Sequence, residues 1–106
     1  MYIVVLVTSS SRQEAEKIAY GLLEKKLAAC VNIIDKISSF FWWDAKIDRA
    51  EEVLLIIKSK KTKLNQIIKT VKSLHSYEVP EIIALPLIAG HRPYLEWINE
   101  SVRNTV

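Results

Sequence analysis

Apolar positions follow two different rhythms along this chain, and the points where one gives way to the other mark its elements. Residues 2–7 (YIVVLV) are a continuous, β-branched apolar run, which predicts a strand. The hydroxyl-rich residues 8–11 break that pattern. Ser11, followed three positions later by Glu14, is a capping-box signature. Ala15, Ile18, Ala19, Leu22 and Leu23 then recur at helical spacing, so a first helix is expected from about Arg12 to Lys26. Residues 27–34 (LAACVNII) read as a second strand, and Asp35-Lys36 interrupts it as a bulge or bend. Residues 37–43 (ISSFFWW) resume the extended pattern, residues 44–46 form a turn that lacks glycine, and residues 51–58 (EEVLLIIK) are a third strand. Together these make an unusually long hairpin.

Thr62 is the expected cap of a second helix whose apolar stripe is Leu64, Ile67, Ile68, Val71 and Leu74. Residues 75–80 (HSYEVP) end it, because Pro80 drives Val79 into an extended conformation. Residues 81–88 (EIIALPLI) are a fourth strand. Pro86 cannot donate to a ladder, which places that strand at an edge. Pro93 suits the first turn of a terminal helix carrying Leu95, Ile98 and Val102 on one side. The order β-α-β-β-α-β plus a helix is an α+β, ferredoxin-like plan in a single domain, residues 1–106, with the first and third strands central.

A sheet with helices on one face and water on the other alternates apolar with polar residues. Residues 2–7, 53–57 and 82–88 are instead apolar at odd and even positions alike. Both faces therefore need cover. Two crossover helices take one face, and the short third helix is too small for all of the other. The expectation is that a second copy of the chain covers the remainder, since each apolar side chain withdrawn from water contributes roughly 1.5–3 kcal/mol.

Composition narrows the function classes. Half of the residues are apolar, which argues against disorder, and the net charge of +3 is spread along the chain. The densest basic stretch, Lys58, Lys60, Lys61 and Lys63, reads as a solvated strand end and helix start rather than a nucleic-acid footprint. Aromatic residues stand in the wrong places for RNA stacking, with only Tyr2 on the first strand and none on the third. Phe40, Phe41, Trp42 and Trp43 lie near the hairpin tip and read as subunit-interface anchors. The single cysteine precludes an internal disulfide. With no signal-peptide pattern and no run of about 20 apolar residues, a soluble cytoplasmic protein away from membranes is expected.

Catalytic chemistry finds little support. Cys30 lies among Ala28, Ala29, Val31 and Ile33 with no neighbouring positive charge in sequence, so a small buried apolar role is expected. Glu51 and Glu52 are strand neighbours that point to opposite faces and cannot act on one proton; they read as strand-entry charge. His75, Glu78 and Glu81 flank the turn after the second helix. They are competent metal donors but fewer than the about four a structural site wants. His75 also suits a helix C-terminus, where an imidazolium complements the dipole.

Four segments taken together resemble the CutA family across nearly the whole chain. Residues 27–33 (LAACVNI) look like that family's second strand. Ser39 through Trp43, with Lys46 and Glu52, resemble its hairpin. Residues 75–81 (HSYEVPE) are similar to its H-P-Y-E-V-P-E signature, and Tyr94-Leu95-x-Trp97-Ile98 to its terminal motif. The resemblance implies a homotrimer with hairpins reaching between subunits through Phe41, Trp42 and Trp43. It also implies a non-enzymatic role in tolerance of divalent cations, copper in particular, with His75 as the metal candidate and Cu²⁺ held weakly. The rival implication is a trimeric signalling or adaptor module like the PII proteins. Such a module would bind a small molecule or partner protein in intersubunit clefts near Trp43, Lys58, Tyr77 and Glu81. The chain departs from the family pattern at Ser76, where the family has proline, and at Ala45, where it has glycine. A cysteine and a second histidine carried by some members are Val7 and Leu74 here.

Overall fold

The computed structural model describes residues 1–103, so the last three residues of the span 1–106 lie outside the described residues. The elements are β1 (Tyr2–Ser9), α1 (Arg12–Glu24), β2 (Cys30–Trp43), β3 (Lys46–Lys60), α2 (Leu64–Leu74), β4 (Ile82–Pro86) and α3 (Arg92–Ser101), with a 3-10 turn at Lys61–Lys63. The four strands form one antiparallel sheet in the order β2-β3-β1-β4. The first and third strands are central and β4 is an edge, as the apolar runs and Pro86 indicate.

Strand alternation sorts the side chains cleanly. Ile3, Val5 and Val7 of β1 and Val53, Leu55 and Ile57 of β3 face α1 and α2, where they pack with Ala15, Ile18, Leu22, Ile67 and Val71. Gly21 in the middle of α1 forgoes roughly 1 kcal/mol of helix propensity relative to alanine. A Cβ there would come within 2.9 Å of Leu74 Cδ1, so a larger residue would displace the end of that leucine at the α1–α2 crossing. The opposite face of the sheet carries Val4, Leu6, Leu54, Ile56, Ile83 and Leu85. On that face lies α3, because Asn99 of α3 accepts from Lys60 Nζ at 2.7 Å and the alternate residue Ser59 is buried on the other side. Buried Ile98 and Val102 anchor α3 there.

The hairpin differs from expectation in length and in its bulge. β3 begins at Lys46 rather than near Glu51, and β2 runs on through the interruption to Trp43. Ile34 pairs with Leu54 and Ile37 with Glu52, so Asp35 and Lys36 together oppose Val53 in a bulge, with Lys36 at φ 57°. The bulge lies where β1 stops, since Ser9 pairs with Val53. Beyond it the ribbon has no third strand.

At the tip, Trp43 pairs with Lys46 and leaves Asp44 and Ala45 as a two-residue loop with φ of 50° and 61°. Both signs are those of a type I′ turn, achieved without glycine. Aspartate tolerates this region, while alanine's Cβ is strained in it by roughly 1–2 kcal/mol.

One helix start matches expectation and the other does not. Ser11 does cap α1, accepting from the Glu14 N–H at 3.1 Å. Thr62 does not cap α2, because it falls inside the 3-10 turn and α2 starts without a side-chain cap. Glu14 closes the capping region. Its carboxylate accepts from Ser9 Oγ at 2.8 Å, from the Ser10 N–H at 3.4 Å and from the Ser76 N–H at 2.9 Å. Burial opposes its ionisation, yet the hydrogen bonds from Ser76, Ser9 and Ser10 outweigh that and hold the carboxyl below its ordinary range.

A carboxyl held low in the folded chain contributes stability that is present above its unfolded value and lost as pH falls through the folded value. Urea melts between pH 7 and 3 should therefore show stability declining at the acid end. Glu14→Gln should flatten that limb while costing about 1–2 kcal/mol at pH 7. At the hairpin tip, Ala45→Gly should raise stability by about 0.5–1 kcal/mol in the same melts, the relief of the positive φ exceeding the entropy added to the unfolded chain.

Candidate functional site

The C-terminus of α2 turns back onto the end of β1 and buries His75 there. The His75 side chain is 0% exposed. Its Nε2 lies 2.6 Å from the Thr8 carbonyl and its Nδ1 3.0 Å from the Tyr77 N–H. A carbonyl only accepts and a backbone N–H only donates, so the proton sits on Nε2 and the Nδ1 lone pair is taken by Tyr77. His75 does occupy the C-cap position of α2, but its ring bonds to β1 and to Tyr77 rather than to the helix's last carbonyls. Glu14 Oε1 is 3.7 Å from Nδ1, so the α1 capping network and the histidine are neighbours.

Tyr77 extends the network to β3. Its ring lies 4.8 Å from the His75 ring, and its hydroxyl donates to Glu52 Oε2 at 2.9 Å. Burial, then the hydrogen bond and charge of Glu52, then the charge of Glu14 push the phenol up to about 12, which keeps it a donor. Glu52 is therefore not simple strand-entry charge: it is 8% exposed and held by Tyr77, while Glu51 is exposed. A sequence signal existed in the closeness of Tyr77 to His75, but the pairing with Glu52, 25 residues away, is a consequence of topology alone. Glu78 and Glu81 are exposed, and among the described residues no group of three or more His, Cys, Asp or Glu side chains is arranged to hold a metal ion.

The remaining candidate residues do not gather in one chain. Lys58 sits near the end of the sheet that lies away from the hairpin tip, opposite Cys30 and Val4. Trp43 is at the hairpin tip, about twelve β3 positions from Lys58, or about 40 Å along the strand. Trp43 and Lys58 could share a cleft only if different copies supplied them. Phe40, Phe41, Trp42 and Trp43 are all exposed, with Arg49 stacked over Phe40 at 5.8 Å.

Cys30 departs from the buried, uncharged setting expected of it. It opens β2, is partly exposed, and has Lys58 Nζ 3.9 Å from its sulfur. The charge comes from the cross-strand partner, which sequence neighbours do not reveal.

Comparisons with known proteins place this architecture. The family model described as CutA1 divalent ion tolerance protein matches residues 3–101. The chain is 47% identical to the divalent-cation tolerance protein CutA of Archaeoglobus fulgidus over 96% of its own length and 99% of the relative's. It is 43% identical to the chloroplastic CutA 1 of Oryza sativa over 97% of this chain and 58% of that one. Among solved structures, it is similar to the A. fulgidus CutA, described as periplasmic, with a TM-score of 0.94 at 47% identity, covering 97% of this chain and 100% of that one. The CutA1 of Thermus thermophilus gives a TM-score of 0.94 at 42% identity, with coverage of 95% and 98%. One relative described as periplasmic and another as chloroplastic overturn the expectation of a cytoplasmic address, which relatedness of this kind does not carry. Among the described residues no helix is long and apolar enough to cross a membrane. With a family match over residues 3–101 and relatives at 47% and 43% identity along nearly all of its length, the chain belongs to the CutA1 divalent ion tolerance family.

Proposed function

We propose that this chain works as a non-enzymatic homotrimer of ferredoxin-like subunits in tolerance of divalent cations, and that it binds such cations, Cu²⁺ among them, only weakly. The observation that carries the assembly is the uncovered apolar surface. On the sheet face away from α1 and α2, Ile34, Ile83 and Leu85 are 45%, 51% and 49% exposed, beside half-buried Val4, Leu6, Leu54 and Ile56. The hairpin arm adds Trp42 at 73%, Phe40 at 66% and Ile47 at 66%. A two-stranded ribbon on its own is marginal in water, and one that displays Phe40, Trp42 and Ile47 on one face and Phe41 and Trp43 on the other gains from lying against other copies. Phe41, Trp42 and Trp43 are the arm's anchors in this reading.

The weakness of metal binding is argued from His75. A cation must take the Nδ1 lone pair from the Tyr77 N–H, which forfeits about 1 kcal/mol. The nearest further donor is Glu14 Oε1, itself engaged by Ser9. Two occupied donors fall short of the about four that make a tight site. The family name, divalent ion tolerance, supports the physiological role.

Sedimentation at micromolar concentration is expected to give three times the 12.2 kDa chain mass. Ile83→Glu should shift the particle toward the single-chain mass with an unchanged circular dichroism spectrum. A wild-type particle that stays at one chain mass would remove the assembly reading. For the metal, calorimetric titration with Cu²⁺ should show weak, saturable heats that His75→Gln diminishes. Equal heats from the two proteins would move the cation off His75.

A further inference from the structure

At one end of the far face of the sheet, beside the apolar rows of Val4, Ile56 and Leu85, lies a polar patch with an unusual balance of charge. Lys58 and Lys60 alternate with Ser59 on β3. The Ser59 hydroxyl is buried on the helix side and donates to the Leu27 carbonyl at 2.6 Å, so both lysines face the other way, toward α3. Each lysine is partly buried. Lys58 Nζ hydrogen-bonds Asn32 Oδ1 and lies 3.9 Å from Cys30 Sγ, and Lys60 Nζ bonds Asn99 Oδ1 at 2.7 Å. Tyr94, from the first turn of α3, reaches the Cys30 sulfur and lies beside Trp97 with ring centres 5.4 Å apart. Both ammonium groups thus rest on neutral acceptors. Among the described residues no ion pair brings a carboxylate to Lys58 or Lys60.

The donor count is lopsided. The contacts set two ammonium groups against two carboxamide oxygens and a sulfur, while the patch also carries two carboxamide NH₂ groups and a phenol as donors. Val4, Ile56 and Leu85 border the patch in the same cross-strand rows, so the positive charge is less well hydrated than on an open surface. Two partly desolvated cations without a counter-charge are costly, and an anion that brings acceptor oxygens offsets that cost. Lysine is a point-charge phosphate ligand, and amide and phenol donors complete such a shell.

We propose that Lys58 and Lys60, with Asn32, Tyr94 and Asn99, form a binding site for a phosphate-class oxyanion, free or carried on a small molecule. The site lies at the far end of the sheet from His75, about six β3 positions, or roughly 20 Å, from Glu52, so it stands apart from the cation reading. It also refines the view of the basic stretch 58–63 as solvated charge: strand alternation withdraws Lys58 and Lys60 from solvent together.

The test is calorimetry with inorganic phosphate on the full chain. Wild type should bind saturably with one site per chain. Lys58→Gln and Lys60→Gln should each weaken binding about tenfold or more, Lys58→Arg should retain it, and Lys69→Gln on the exposed side of α2 should leave it unchanged. Asn99→Asp, which sets a carboxylate against Lys60 with little change of volume, should abolish binding while circular dichroism stays native. Three results would overturn the proposal: no saturable binding by wild type at millimolar phosphate, equal weakening by Lys69→Gln, or binding that appears only in the Ile83→Glu chain. The last would mean that a carboxylate of a second copy already fills the site.

Discussion

Strand β1 lies between β3 and β4 and carries apolar side chains on both faces, and the rest of the molecule is arranged around that constraint. Its inward residues Ile3, Val5 and Val7 are essentially buried under α1 and α2. Its outward residues Val4 and Leu6 are only half covered, because α3 is ten residues long and reaches only part of that face. A sheet built to meet water on one side would place polar residues at these positions. The chain instead places Leu54 and Ile56 beside them on β3 and Ile83 and Leu85 on β4. The fold is thus complete on one face and leaves an apolar strip on the other.

The arm obeys the same logic. β1 ends opposite Val53, and the bulge at Asp35 and Lys36 sits at that exit. A bulge sharpens twist and re-aims a ribbon, and Arg12 fastens its root by an ion pair to Asp35 at 3.0 Å. That exposed pair contributes little stability; it joins the start of α1 to the bulge. Past the bulge the ribbon keeps its backbone ladder satisfied while its aromatic side chains find little within the chain to pack on.

Much of the architecture was legible because periodicity reports local surroundings. The apolar runs located β1, β3 and β4, the 3.6-residue stripes located three helices, and Ser11 with Glu14 marked the start of α1. What escaped was of two kinds. The outer part of β3, residues 46–50, is mostly polar and exposed, so its strand character comes from pairing with β2 and not from its own pattern. The functional details escaped because they join residues remote in sequence: Tyr77 to Glu52, His75 to Thr8, and Lys58 to Cys30. Thr62 failed as a cap for a different, local reason, since the chain enters α2 through a 3-10 turn that starts one residue earlier, at Lys61.

The two polar clusters differ in how fully their hydrogen-bonding capacity is met, and that difference decides what each can do. Around His75 the strong groups have partners: Nε2 has Thr8, Nδ1 has Tyr77, Glu52 has the Tyr77 hydroxyl, and Glu14 has Ser9 and Ser76. Such a network holds the α2–β4 connection against β1, and any ligand there must first break a bond of about equal worth, so affinity is low by construction. Around Lys58 and Lys60 the donors exceed the acceptors, and an incoming oxyanion has spare donors to meet. Recognition is favoured where capacity is left over, which separates a structural histidine from a lysine pair poised for a counter-charge, although both pack against the same sheet.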